Sequence, residues 1–198
     1  MVGWIDLEQA DASEQIHQFA RHPHFKGVRL NWLEERPDPD RLESALIALQ
    51  NNQCSVDVLT HASFLPDIAA YIKRHPSVTW VMDHFGGVAL DDVSLKDWRE
   101  TLRLIAPLTN VVIKLSGYTS RQHTVNVSLL REYIHQAQDI VGAHRLMFGS
   151  NWPLCVGVLD YAAGLHLLQD ACTSFDEITQ AALFHDTAVK TYRLVSTR

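Results

Sequence analysis

Short runs of β-branched and aromatic residues alternate along this chain with longer stretches whose apolar residues recur at helical spacing. The short runs predict six strands, at residues 2–7, 25–30, 55–60, 78–84, 111–116 and 145–150. Because a predicted helix separates each strand from the next, we expect parallel strands joined by crossovers. Their apolar centres are typical of a sheet that is covered on both faces.

The intervening segments predict amphipathic helices at residues 12–22, 41–52, 65–75, 95–108, 128–142, 161–172 and 175–184, before a closing segment at 188–194. Asp40 is the predicted cap of the second helix, since an aspartate side chain can accept a hydrogen bond from the first helical turn. The sequence contains no linker-like or low-complexity stretch. We therefore expect a single domain over residues 1–198.

Polar or ionisable residues follow the apolar centre of every predicted strand, namely Asp6, Arg29, Thr60, His61, Asp83, His84, Lys114, Ser116, Ser150 and Asn151. In a (β/α)8 barrel all of these ends meet at one mouth, where active sites lie. An open doubly wound sheet remains the alternative, although it would gather only the ends near its switch point. No GxGxxG or GxxxxGK[ST] motif supports a nucleotide-binding version of that sheet.

The composition excludes several classes of protein. Hydrophobic residues make up 46% of the chain, as in an ordinary globular protein. The net charge is −6 and the basic residues are scattered, so the sequence predicts no nucleic-acid-binding surface. No run is apolar enough to span a bilayer, and the first residues do not have the pattern of a signal peptide, so we expect a cytoplasmic protein with no membrane partner.

Three motifs carry a resemblance to a known family: VMDHFGG at residues 81–87, IKLSGY at 113–118 and RLMFGSNWPLC at 145–155. In this order and spacing they resemble the amidohydrolase-related family (amidohydrolase 2), in particular its fuconolactonase, rhamnonolactonase and pyrone-dicarboxylate lactonase branch. The resemblance covers essentially the whole chain. It implies an α/β fold of the TIM (β/α)8 type and hydrolysis of a lactone.

The resemblance also implies that the barrel is incomplete, with about six of the eight βα units. The family begins with a strand carrying a His-x-His pair, followed by a second strand, whereas this chain opens on what resembles the third strand. We therefore expect a domain truncated at its N-terminus relative to the family. Because exposed strand edges favour pairing with another chain, a homo-oligomer or a partner chain that completes the barrel is expected.

The second departure lies after the last strand. The family reads Gly-Ser-Asp-Trp-Pro, and this chain reads Gly-Ser-Asn-Trp-Pro at residues 149–153. In the family the Asp is expected to bind metal or to activate the attacking water. An Asn has nearly the same shape, but its neutral amide cannot act as a general base.

The resemblance implies catalytic positions at His84 and Asn151 and one divalent metal (zinc or manganese) at His84 and His61. The alternative for this chain is a metal-independent site. Substrate contacts are expected from Arg29, Lys114, Ser116, Tyr118 and Trp152. Each has a structural alternative: a salt bridge for the cations, a strand-end hydrogen bond for the histidines, and core packing for the aromatics.

The expected function is hydrolysis of a lactone of a sugar acid or related carboxylate by attack of water on the carbonyl. The alternative is an inactive barrel fragment or a binding or partner subunit. Asn151 and the lack of a first-strand His-x-His pair favour that alternative.

Overall fold

The computed structural model describes residues 1–34, 36–91, 94–120, 123–124 and 126–195. The strands in this part of the chain are β1 (Val2–Trp4), β2 (Gly27–Trp32), β3 (Ser55–Thr60), β4 (Thr79–Met82), β5 (Val111–Leu115), β6 (Thr119–Ser120), β7 (His123–Thr124) and β8 (Leu146–Phe148). The helices are α1 (Ala12–Ala20), α2 (Pro39–Asn51), α3 (Leu65–Arg74), the single turn α4 (His84–Gly87), α5 (Leu95–Ile105), α6 (Val127–Val141), α7 (Tyr161–Ala171), α8 (Glu177–Ala181) and α9 (Thr187–Tyr192). A π-helical turn, Ala182–Asp186, joins α8 to α9.

Six strands form one parallel sheet in the order β1-β2-β3-β4-β5-β8. The six predicted strands are therefore confirmed, with ends shifted by up to three residues. The antiparallel pair of β6 and β7 was not predicted. The sheet, with helices between its strands, is that of an incomplete TIM barrel, and β1 and β8 are its two edges.

Aspartate and asparagine side chains begin several helices. The side chain of Asn126 accepts a hydrogen bond from the Leu129 amide at the start of α6, and that of Asp160 caps α7 in the same way. The prediction that Asp40 caps α2 is wrong, because Asp38 accepts from the Asp40 amide at 3.0 Å. Pro39 takes the first helical position, where the missing N–H costs nothing, and this places the cap one residue before it.

The two faces of the sheet are covered differently. Outward-facing residues such as Trp80 and Met82 belong to the main core beneath the helices. Alternate residues point inward, and of these Val81, Val112 and Met147 form a small second cluster. Helix α9 covers this inner cluster, since Ala188 and Tyr192 pack against it. The C-terminal helix therefore lies against the inner face of the sheet.

The turn α4, directly after β4, has a left-handed backbone. The φ angles of His84, Phe85, Gly86 and Gly87 are 53°, 52°, 66° and 74°. Non-glycine residues rarely adopt this region, and here Phe85 is fully buried against the rings of Trp98 and Tyr133. The buried ring and the following glycines together hold the turn, and the turn fixes the orientation of His84.

Gly87→Ala is expected to destabilise the fold by about 2–4 kcal/mol, because an added Cβ would lie 1.8 Å from the Thr60 carbonyl oxygen at a φ of +74°. Gly157→Ala is the matched control, since Gly157 also has a positive φ (+94°) but open space around its Cβ position. It should cost about 1–2 kcal/mol. Urea unfolding measures both values, and equal losses would contradict the close approach.

Within the described ranges, no helix has both the length and the apolar character needed to cross a membrane.

Candidate active site

Four charged side chains form a cluster on the inner face of the sheet. Arg29 of β2 contacts Asp83 after β4, with Nη2 2.9 Å from Oδ2. The Nζ of Lys114 on β5 lies 2.9 Å from Oδ1 of Asp83 and 2.5 Å from Oδ2 of Asp57 on β3. Both carboxylates are fully buried. Burial of two carboxylates is tolerated here because two cations balance their charge.

Asp57 is a site residue that the sequence analysis missed. Its carboxylate also accepts hydrogen bonds from the Ser55 hydroxyl at 2.7 Å and from the Tyr192 hydroxyl at 2.6 Å. Tyr192 belongs to α9, so the C-terminal helix contributes to the cluster. The signal available in the sequence was a lone charged residue within the predicted strand at residues 55–60.

The ionisation of the cluster follows from its contacts. Burial disfavours the Lys114 ammonium, but the charges of Asp57 and Asp83 and their hydrogen bonds outweigh it, so the pKa of Lys114 is raised. Burial, with the neighbouring Asp57 charge, also raises the pKa of the Tyr192 phenol. Lys114 therefore carries its charge and Tyr192 its proton at neutral pH.

His84 lies beside this cluster, directly after Asp83. Its Nδ1 is 2.7 Å from the Ser116 hydroxyl oxygen, which follows β5. Gly117 permits this approach, because a Cβ there would lie 2.9 Å from the His84 Cβ. Burial lowers the pKa of His84. The result is a neutral imidazole whose Nε2 makes no hydrogen bond to the described part of the chain.

Asn151 follows β8 in a left-handed conformation with φ of 56°, which Asn tolerates better than most residues. Its backbone carbonyl oxygen accepts a hydrogen bond from the Cys155 backbone N–H at 3.3 Å. Two residues earlier, Gly149 lies against Ser116, since a Cβ there would be 2.9 Å from that of Ser116. The carboxyl ends of the neighbouring strands β5 and β8 are thus in contact, at the side of the sheet where a barrel has its mouth.

The remaining predicted positions differ in exposure. Tyr118 is buried and its hydroxyl donates to the Gly164 carbonyl of α7 at 3.0 Å, so its ring packs beneath that helix. Trp152 is 62% exposed. His61 is exposed and precedes the short 3₁₀ turn that leads into α3. Arg29, predicted at a strand end, lies within β2 because that strand continues to Trp32.

The site residues that the structure describes do not form a metal site by themselves. Among the described residues, no group of three or more His, Cys, Asp or Glu side chains could hold a metal ion. The nearest buried carboxylates, Asp57 and Asp83, are already paired with Lys114 and Arg29. His84 and His61 therefore have no third ligand in this part of the chain, and we assign no chemical step to a metal.

Stability should depend on the protonation of His84. Because its folded-state pKa lies below the ordinary 6.5, the unfolded chain binds the proton more readily. The contribution of His84 to the free energy of unfolding is therefore fully present above about pH 6.5. It is lost as the pH falls through the lower pKa that His84 has in the folded state. From about pH 7.5 to about 5.5, the free energy of unfolding should fall more in the wild type than in His84→Asn. His24→Asn, at an exposed position, should behave like the wild type, and equal losses in all three proteins would refute this dependence.

Comparison with known proteins agrees with this architecture. A sequence model described as Amidohydrolase matches residues 1–194. An L-fucono-1,5-lactonase from Burkholderia multivorans is 33% identical, covering 98% of this chain and 71% of that protein. One from Burkholderia ambifaria is 30% identical, with coverages of 98% and 70%. The chain thus spans about seven tenths of the length of these relatives.

Solved structures show the same fold. A Burkholderia multivorans amidohydrolase with bound zinc has a TM-score of 0.87 at 29% identity, covering 98% of this chain and 73% of that one. A Pseudomonas putida structure named for 2-pyrone-4,6-dicarboxylic acid hydrolysis has a TM-score of 0.80 at 21% identity, with coverages of 97% and 71%. The resemblance seen in the three motifs is therefore confirmed. The chain belongs to the amidohydrolase family of hydrolases.

Proposed function

We propose that this chain hydrolyses the lactone of a sugar acid, with His84 as general base. The observation that carries the proposal is the neutral His84 imidazole, fixed by a left-handed turn and by Ser116, with Nε2 unused by the described residues. A base must be unprotonated at the working pH and must be held in one orientation. His84 satisfies both conditions.

The chemical step follows from the tautomer in which Nδ1–H donates to the Ser116 hydroxyl. Nε2 then accepts a proton from water as the water oxygen bonds to the lactone carbonyl carbon. The tetrahedral intermediate collapses by breaking the bond between that carbon and the ring oxygen. The imidazolium returns its proton to the departing oxygen, so lactone and water give one hydroxy acid. Ser116 is a positioning residue in this scheme.

Arg29 is the cation best placed to stabilise the oxyanion. Its side chain is 41% exposed, and its only ion pair or hydrogen bond within the described chain joins Nη2 to Asp83. The other guanidinium N–H groups are free to donate to a carbonyl oxygen that gains negative charge. The Lys114 side chain is only 18% exposed and binds two carboxylates, so we assign it the role of holding Asp83, which in turn orients Arg29.

A sugar-acid lactone is the proposed substrate class because two relatives at 30–33% identity are named L-fucono-1,5-lactonases. The exposed indole of Trp152, after β8, offers a flat surface on which a sugar ring can stack. Proton release in weakly buffered solution measures turnover, since each hydrolysed lactone yields a carboxylic acid. We expect faster turnover of L-fucono-1,5-lactone than of 2-pyrone-4,6-dicarboxylate, and the reverse order would contradict the proposed class.

A second candidate is a binding subunit without catalytic activity, and Asn151 is the observation that favours it. If the chain is an enzyme and the neutral amide of Asn151 slows it, Asn151→Asp should raise kcat by about tenfold or more. A carboxylate at this position can also accept a proton from the attacking water. Asp also tolerates the left-handed φ at this position. Asn126→Asp, at a helix cap, is the control and should leave kcat unchanged. No gain at position 151 and no turnover by either protein would favour the binding subunit.

We also propose that the chain self-associates through the edges of its sheet. Within the described residues, β1 and β8 each pair with a single neighbour, and edge strands carry unpaired N–H and C=O groups. Apolar side chains are exposed on β1, where Trp4 is 69% exposed, and in the segment that follows β8, where Leu154 is 70% exposed. Light scattering after size exclusion should report a dimer or larger assembly, and a monomer at all concentrations would exclude this association.

A further inference from the structure

A cavity of about 370 Å³ opens at the N-terminal ends of the strands, opposite the candidate active site. We call it the floor cavity. Its lining comes from the segments that enter β3, β4, β5 and β8 and from the C-terminal helix α9, and consists of Gln50, Gln53, Cys54, Ser77, Thr79, Thr109, Asn110, Val112, His144, Arg145, Lys190, Thr191 and Arg193.

The charge of the floor cavity has one sign. Lys190, Arg193 and Arg145 line it together with His144, and no Asp or Glu stands among the lining residues. The chain as a whole carries a net charge of −6, so the positive charge of this cavity is opposite in sign to that of the whole molecule. Such a concentration of positive charge in a concave site attracts anions.

Arg145 is the most informative of these residues. It is only 9% exposed, and its guanidinium donates to the carbonyl oxygens of Val141, Leu108 and Ala106 at 2.8–3.2 Å. No carboxylate of the described chain lies within ion-pair distance of it, and burial lowers its pKa. The carbonyls of Ala106 and Val141 lie at the C-terminal ends of α5 and α6 and carry partial negative charge, which stabilises the guanidinium without supplying a full counterion.

The remaining lining supplies hydrogen-bond donors. Four lining side chains make no hydrogen bond within the described part of the chain: the hydroxyls of Ser77, Thr109 and Thr191 and the ammonium of Lys190. Tetrahedral oxyanions accept several hydrogen bonds at once from ammonium, guanidinium and hydroxyl donors. The lining therefore suits a phosphate group better than a hydrophobic ligand or a cation.

We propose that the floor cavity binds a phosphate-bearing anion, either free phosphate or the phosphate group of a small metabolite. The anion supplies the counterion that Arg145 lacks and bonds to Lys190 and Thr191 of α9. Tyr192, the next residue of that helix, donates its hydroxyl to Asp57 of the active-site cluster. An anion that holds α9 in place therefore also holds one contact of the active site.

Isothermal titration of the full chain with inorganic phosphate tests this proposal, with sodium chloride at equal ionic strength as the reference. Wild type should bind phosphate saturably and gain thermal stability as phosphate is added. Lys190→Gln, which keeps a good helix former, should weaken binding about tenfold through loss of one charge-assisted hydrogen bond. Lys96→Gln, on the exposed face of α5, should bind like the wild type.

Three other results would each overturn the proposal. The first is phosphate binding no tighter than that of chloride, and the second is equal weakening in the two lysine variants, which indicates general screening. Unchanged binding in Lys190→Gln would place the anion elsewhere. Adding a phosphate monoester such as glycerol 3-phosphate to wild type then separates the two sources, because tighter binding than that of inorganic phosphate assigns the site to a metabolite.

Discussion

Replacing His84 by Asn is expected to lower kcat/KM for lactone hydrolysis by about 10²- to 10⁴-fold, the range that general bases contribute. Asn tolerates the left-handed φ of 53° at position 84, so the turn and its buried Phe85 should stay in place. Proton-release assays with L-fucono-1,5-lactone give kcat and KM separately. Because the proposed role is in the transition state, kcat should carry most of the loss.

Two companion variants make this result specific. His24→Asn removes an exposed histidine far from the mouth and should retain full activity. Ser116→Ala removes the hydroxyl that binds Nδ1, and should lower kcat less than His84→Asn while shifting the acidic limb of the pH–rate profile. A fully active His84→Asn protein would exclude His84 as the base.

Replacing Lys114 by Met is expected to destabilise the protein by about 3–5 kcal/mol, the largest loss of stability that we predict. The ammonium is the shared partner of Asp57 and Asp83, both fully buried. Without it, Asp57 would have only neutral hydrogen-bond donors, while Asp83 would keep Arg29. Urea unfolding at neutral pH measures the loss.

The controls separate charge from packing. Lys96→Met, at an exposed position, should change stability by no more than about 0.5 kcal/mol. The double variant Asp57→Asn with Lys114→Met should be more stable than Lys114→Met alone, because it removes the buried carboxylate that the loss of Lys114 leaves without a cation. A loss below about 1 kcal/mol in Lys114→Met would show that the cluster is solvated and contributes little.

The order of the strands and the position of His84 were predictable because both are local properties of the sequence. Short β-branched and aromatic runs and apolar residues at helical spacing mark the elements, and the VMDHFGG motif places His84 at the end of a strand. The two glycines that follow also suit the left-handed turn, although its four positive φ angles could not be derived from them. Strand ends and the cap at Asp38 differed by a few residues, as local patterns allow.

The partners within the candidate site could not be predicted in the same way. Asp57 and Tyr192 are 135 residues apart, and their contact depends on α9 crossing the inner face of the sheet. The sequence places Lys114 at a strand end as a cation for substrate, but not the two carboxylates that bind it. Which inward side chains meet is decided by strand register and by the path of the C-terminal helix, and neither is a local property.

The most direct test of the central claim is the rate at which the full wild-type chain hydrolyses L-fucono-1,5-lactone, measured against the spontaneous rate in the same buffer and against His84→Asn. The proposed mechanism predicts proton release that rises in proportion to wild-type protein and falls to near the spontaneous rate in the variant. If wild type and variant both match the spontaneous rate while the lactone still binds, the chain is a binding subunit and not a lactonase.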